Sequence, residues 1–233
     1  MKYDIFSYSS IGKRLTNEDA YDISDINNTT LIVLADGVGG HNYGEFASKQ
    51  VITSMKEWLR DQELSEKEME QAIQYANHVI HSKHSLYPNA RSTIAAVWLD
   101  GNKAFAMNIG DTRIYHFREY ELLYQSKDHS MAQLAVNAGE MEACKIREST
   151  ERNILFRALG SEQLQRPEKR KLSLKSGDRL LLCTDGFWEI ILESEMIKKM
   201  EPTDTAEIWL QKMCNKVEPE AKDNNTAIGI IIR

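Results

Sequence analysis

A strand-like run covers residues 3–9, and a denser apolar run covers residues 30–35, ending in Asp36-Gly37. Residues 44–60 place Phe46, Ala47, Val51, Met55, Trp58 and Leu59 at helical spacing. Ser65 with Glu68 predicts a capping box, and the helix behind it carries Met69, Ile73, Ala76 and Ile80 on one face. Strands return over residues 93–99 and 103–108, joined by the hairpin signal Asp100-Gly101-Asn102. Residues 112–117 and 121–125 predict another hairpin, and a polar, helical region at residues 130–159 then interrupts the sheet. Strands over 171–174 and 179–184 flank Lys175-Ser176-Gly177-Asp178, read as one more hairpin turn. Two helices, near 193–200 and 205–217, precede a last strand over 227–232.

Tight connections make the sheets mainly antiparallel. The helices come in two pairs, and each pair needs an apolar sheet face to bury against. The expected class is therefore α+β, a four-layer αββα sandwich with two mainly antiparallel sheets flanked by helix pairs. With no repeats, no Pro/Ser-rich linker and only four prolines, residues 1–233 read as a single domain.

Composition narrows the function classes. At 42% hydrophobic residues the chain can bury a sizeable core, and a formal charge of -6 argues against nucleic acid or an anionic membrane as partner. No apolar run approaches the roughly 20 residues of a membrane span, and the first residues lack a signal-peptide core. A cytoplasmic monomer ending with its last strand is the expectation. Cys144, Cys183 and Cys214 are odd in number without CxxC spacing, which suggests neither a disulfide framework nor a zinc site.

The candidate chemistry lies at strand ends. Apolar runs lead into Asp36-Gly37, Asp111 and Asp185-Gly186, and Asp223-Asn224-Asn225 immediately precedes the last strand. Singly, an Asp-Gly is only a turn. Together with Glu18-Asp19, carboxylates that converge need compensating cations, and oxygen ligands select hard ions such as Mg²⁺ or Mn²⁺.

The order of the pieces carries more than any one of them. Gly12-Lys13-Arg14-Leu15-Thr16-Asn17-Glu18-Asp19, Ala35-Asp36-Gly37-Val38-Gly39-Gly40-His41, Ser92-Thr93 and Asn108-Ile109-Gly110-Asp111-Thr112-Arg113 come first. Lys127-Asp128-His129-Ser130, Arg157-Ala158-Leu159-Gly160, Leu182-Cys183-Thr184-Asp185-Gly186 and Asp223-Asn224-Asn225-Thr226 follow. This series resembles the bacterial type 2C (PPM) metal-dependent protein serine/threonine phosphatases over nearly the whole chain.

The resemblance implies hydrolysis of protein phosphoserine and phosphothreonine by direct attack of a metal-activated water, opposing a Ser/Thr kinase. It implies two core Mn²⁺ or Mg²⁺ ions and a third. Asp36 matches the bridging carboxylate, with the Gly37 carbonyl on one ion. Asp185 and Asp223 match the other ligands of the first ion, and Glu18 matches the second-metal position. Asp19 matches a holder of metal-bound waters, and Asp111, with Asp185, matches the third site. Arg14 falls where the family clamps phosphate, and residues 130–160 correspond to its flap.

Two positions depart from the pattern. Val38 stands where some members carry a histidine as general acid, and Arg91 replaces a usual glycine. Other candidates have plain readings: His78, His81 and His84 a solvated helix face, His41 loop stabilisation, His129 flap-helix capping, Asp128 and Ser130 turn and cap, Cys183 a buried thiol, and Phe187 with Trp188 core or flap packing. The rival functions are a phosphoprotein-binding pseudophosphatase and a regulator dedicated to one partner.

Overall fold

The computed structural model describes residues 2–39, 43–63, 65–163 and 166–233. Its first half runs β1 (Tyr3–Ser10), β2 (Asp19–Ile26), β3 (Thr29–Val38), α1 (Tyr43–Leu59), α2 (Glu66–Ser82), β4 (Arg91–Ser92), β5 (Ile94–Asp100) and β6 (Lys103–Ile109). Then come β7 (Arg113–Arg118), β8 (Glu121–Gln125), α3 (Met131–Asn137) and a 3₁₀ turn at Ala143–Glu148. The remainder is β9 (Glu168–Ser173), β10 (Arg179–Cys183), α4 (Asp185–Trp188), α5 (Glu193–Lys198), α6 (Ala206–Glu220) and β11 (Asn225–Ile232).

The strands sort into two sheets, ordered β1-β11-β10-β7-β8 and β2-β3-β5-β6-β9, with β4 against the end of β3. All described pairings are antiparallel. The two-residue period of a strand divides the apolar side chains between layers. Along β3, Leu31, Val33 and Ala35 pack with Val51 and Met55 of α1 and Ile73 and Ala76 of α2. Ile32 and Leu34 point the other way, into the seam between the sheets, where they meet Leu180, Leu182, Ile228 and Ile230. In the opposite sheet Leu181 and Cys183 face Trp209, Leu210 and Met213 of α6. Helix, sheet, sheet and helix are thus four layers, as the pairing of helices predicts.

Two local expectations fail. The strand β2 went unread. Its alternation of half-buried and exposed positions is weak, but Asn27 and Asn28, both at positive φ (49° and 65°), form its hairpin turn with β3. Conversely, residues 175–178 do not close a hairpin. β9 lies in one sheet against β6 and β10 in the other against β7 and β11, so the turn crosses between layers. Turn residues specify a reversal, not which strand pairs afterwards. The crossing is held by fully buried Asp178, which accepts from Arg118 Nε (2.7 Å) and the Lys175 N–H (2.9 Å) and contacts His116 Nε2 (2.9 Å). The capping box at Ser65 forms by half. Ser65 Oγ accepts the Glu68 N–H, while the Glu68 carboxylate takes the Trp58 indole N–H instead (3.1 Å).

Candidate functional site

The topology gathers strand ends at one end of the sandwich. The end of β3, the crossing from β6 to β7, the end of β10, the start of β11 and the loop leaving β1 all meet there. Between them is a cleft of about 220 Å³ lined by Arg14, Glu18, Asp36, Gly37, Asp111, Asp185 and Asp223, with Val38, Asn153 and Leu155 among its walls. Asn153 and Leu155 belong to the segment at residues 130–160. Asp19 sits behind the wall, directly opposite Asp36 across β2 and β3. His41 lies outside the described residues. A larger cavity, about 400 Å³, opens beside Arg179 at the other end of β10, but its arginines are already paired, Arg118 with Asp178, Arg179 with Asp204 and Arg233 with Asp4.

Backbone contacts set several of the candidate side chains. Asp36 donates its N–H to Thr93 Oγ1 (3.0 Å), and its carbonyl accepts the Thr93 N–H (2.8 Å) and the Ser92 hydroxyl (3.0 Å). The Cβ that Gly37 lacks would overlap the Gly44 carbonyl, and one on Gly44 would overlap Gly37 in return. These glycines therefore let the first turn of α1 close against the end of β3, a reason for Gly37 besides carbonyl access. The Glu18 carboxylate lies against Gly44 at that turn, where the first backbone N–H groups of α1 favour a negative charge. Gly110, at φ 98°, makes the crossing that presents Asp111, where an added Cβ would collide with Thr93.

Asn224 is a determinant that sequence reasoning quoted in a motif without giving it a role. Its Nδ2 donates to the Ile11 and Thr16 carbonyls (both 2.9 Å), and its Oδ1 accepts the Glu18 N–H (2.8 Å). One side chain thereby staples the loop bearing Arg14 and Glu18 beside Asp223. Partners more than 200 residues apart leave no local signal. Asp128 also departs from its turn reading: it forms a buried, bidentate pair with Arg113 (2.8 and 2.7 Å). Ser130 does cap α3, accepting the Gln133 N–H. His84 contacts the Ala90 carbonyl (3.0 Å) and Arg91 (3.3 Å), away from the cleft.

Electrostatically the cleft is unbalanced. Among the described residues lining it, Arg14 alone faces five carboxylates, and it is paired with Asp223. Burial first, then repulsion from Asp19, Asp185, Asp111 and Asp223, holds Asp36 well above the ordinary carboxylate range. Burial and Asp185 do the same to Asp111. Asp19 is pushed to about 7, chiefly by burial, and Asp185 likewise by burial with Glu189 and Asp223. Asp19 Oδ2 accepts from the hydroxyls of Thr184 (3.0 Å) and Thr226 (2.7 Å), yet its buried Oδ1 has no hydrogen-bond partner.

Like charges directly across a strand pair are destabilising unless compensated. Among the described residues no three acidic, histidine or cysteine side chains already close into an ion cage. The carboxylates instead ring an open cleft. The donor set nonetheless fits a hard divalent cation: its side-chain donors are carboxylate oxygens, their mutual repulsion calls for positive charge, and Asp19 Oδ1 is left free.

Comparison with known proteins places this arrangement. The family model described as protein phosphatase 2C matches residues 7–227. A serine/threonine protein phosphatase PstP of Mycobacterium tuberculosis is 28% identical over 199 residues, 83% of this chain; the chain spans only 38% of that relative's length. A protein phosphatase PhpP of Streptococcus pneumoniae is 28% identical over 202 residues, covering 83% of this chain and 82% of the relative. Among solved structures, the S. agalactiae serine/threonine phosphatase shares the fold over the full length of both chains, with a TM-score of 0.92 at 24% identity. A PstP catalytic domain in complex with two manganese ions gives a TM-score of 0.85 at 24% identity, covering 99% of both chains. Among the described residues no helix is long and apolar enough to cross a membrane.

Proposed function

We propose, since the chain belongs to the protein phosphatase 2C family, that it hydrolyses phosphoserine and phosphothreonine esters in proteins with the help of divalent cations. The observation that carries this reading is one small cleft in which five carboxylates and a guanidinium converge from strand ends far apart in sequence. Relatives named as protein phosphatases, one of them solved with manganese, support it.

Asp36, Asp185 and Asp223 would hold one core ion and Asp36 and Glu18 the other, with the Gly37 carbonyl on one of the two; Asp111 and Asp185 would hold a third. When bound, Mn²⁺ or Mg²⁺ lowers the pKa of a water and offsets the charge of the phosphoryl oxygens. The rest falls to the protein. Asp19, fixed through Oδ2 by two hydroxyls, offers Oδ1 to orient water. Val38, 40% exposed in the wall, has no proton to give, so the leaving oxygen takes its proton from a water, which Asp111, also lining the cleft, would help to hold. Arg14 binds phosphate through the planar fork of its guanidinium. Its pairing with Asp223 is no obstacle, because both side chains are exposed and such pairs contribute only about 0–1 kcal/mol. Residues 1–233 act as one catalytic domain, with residues 130–160 as a lid over the cleft. The partner is a Ser/Thr-phosphorylated protein in the cytoplasm, opposite a Ser/Thr kinase, met by a monomer that binds neither nucleic acid nor membrane.

The test is phosphate release from a phosphoserine peptide by the wild type and by Arg14→Ala. A charge-assisted hydrogen bond contributes about 1.5–3 kcal/mol, so kcat/KM should fall roughly ten- to a hundredfold, with Arg14→Lys restoring part. Tight phosphopeptide binding without release in Mn²⁺ would replace the enzyme by a binding module. An unchanged kcat/KM in Arg14→Ala would take Arg14 out of the site.

A further inference from the structure

Asp111 is gripped from behind by residues that do not line the cleft. Trp188, fully buried at the end of α4, donates its indole N–H to the Asp111 carbonyl (2.9 Å). Its ring is itself immobilised. The Arg113 guanidinium lies 3.5 Å from the ring centroid, locked by its bidentate pair with Asp128, both side chains only 2% exposed. Arg147, from the 3₁₀ turn, donates to the Trp188 carbonyl (3.0 Å) and to Glu193 (2.8 Å). On the other side, His129 Nδ1 accepts the Gly110 N–H (3.0 Å), and the His129 N–H returns a bond to the Gly110 carbonyl (2.9 Å).

Three backbone groups that set the direction of Asp111 are therefore committed: Gly110 N–H, Gly110 C=O and Asp111 C=O. Gly110 sits at φ 98° with no room for a Cβ, and glycine by itself is permissive, so the fixed path of the segment has to come from these bonds. A carboxylate at a sheet-to-sheet crossing depends on such a grip, since no ladder bonds fix it on either side.

We propose that Trp188 and His129 are positioning residues, which hold Gly110–Asp111 as a clamp and so fix the Asp111 carboxylate in the cleft. This rests on the reading of Asp111 as a working member of the site. Arg113 and Asp128 form the base of the clamp, and Arg147 ties it to the segment at residues 130–160. The buried ion pair thus has a use that packing alone does not require, since apolar residues of similar volume fill such a site at no loss of stability.

Trp188→Phe tests the clamp, because it keeps a ring beneath Arg113 and removes only the N–H and some volume. The expected result is a fall in kcat on a phosphoserine peptide of about three- to tenfold, the range of one hydrogen bond, with KM unchanged. In an Asp111→Ala background the same change should cost nothing further. His129→Ala should match Trp188→Phe, and His129→Asn, whose amide oxygen can take the place of Nδ1, should recover most of the loss. A readout independent of turnover is amide hydrogen exchange in the metal-free protein. It should quicken at residues 110–112 in Trp188→Phe while β3 stays protected. Unchanged exchange at residues 110–112, or losses that add to those of Asp111→Ala, would overturn the proposal. Quickened exchange with a harmless Asp111→Ala would keep the clamp and remove Asp111 from the reaction. Should Trp188→Phe not fold, the His129 pair carries the same measurements.

Discussion

Asp36→Asn is expected to give a protein that is more stable without metal and nearly inactive with it. Asp36 is the most central member of the cluster, repelled by Asp19, Asp185, Asp111 and Asp223 and further disfavoured by burial. Asparagine keeps the shape and the backbone bonds to Ser92 and Thr93 while deleting one charge. Because the folded carboxyl titrates well above its unfolded value, its ionisation costs stability as pH rises past the ordinary carboxylate range. The metal-free variant should therefore melt higher than the wild type at pH 8, and the difference should vanish near pH 4. Turnover in saturating Mn²⁺ should fall by about a hundred- to a thousandfold, the range for losing one preorganised electrostatic group. Thermal melts across pH, paired with phosphate release, check both halves. A variant that melts lower, or one that keeps wild-type turnover, contradicts the central place given to Asp36.

The second large effect separates Asp111 from Asp185. Asp185 interacts with Asp223, Asp19 and Asp36 as well as with Asp111, which makes it central, whereas Asp111 faces Asp36 and Asp185 on one side and Asp128, outside the cleft, on the other, and so stands nearer the edge of the cluster. Asp185→Ala should abolish tight metal binding together with activity. Asp111→Ala should keep two tightly bound ions, counted by calorimetry, yet lose about a hundredfold in turnover on a phosphoserine peptide. An aryl phosphate, whose leaving group needs less protonation, should suffer less, because Val38 supplies no proton on that wall. Equal losses on both substrates would remove Asp111 from leaving-group departure. Loss of a tightly bound ion would make it a core ligand.

Much of this was legible because the signals are local. Apolar runs ending in aspartate identified Asp36 and Asp185, and Gly110-Asp111 was readable as a strand end. The helix of residues 66–82 announced itself through Ser65 and a face of Met69, Ile73, Ala76 and Ile80. The four layers followed from paired helices seeking apolar sheet faces. What escaped was set by distance in sequence. Whether residues 175–178 joined two strands of one sheet or two sheets depended on Asp178 meeting His116 and Arg118 about 60 residues away. Asn224 works through Ile11, Thr16 and Glu18, and Trp188 through a carbonyl 77 residues earlier. A hydrogen bond from a side chain to a remote backbone atom leaves no periodicity to read. Trp188 is core packing, as its sequence context suggests, and its bond to the Asp111 carbonyl, like that of His129 to Gly110, comes on top of what the sequence could show.

The most direct measurement is phosphate release from a phosphoserine peptide by protein stripped of metal, followed while Mn²⁺ is titrated back. The account predicts no release in chelator, recovery that saturates as the cleft fills, and no recovery in Asp36→Asn at the same concentrations. Full release from verified metal-free protein would contradict it.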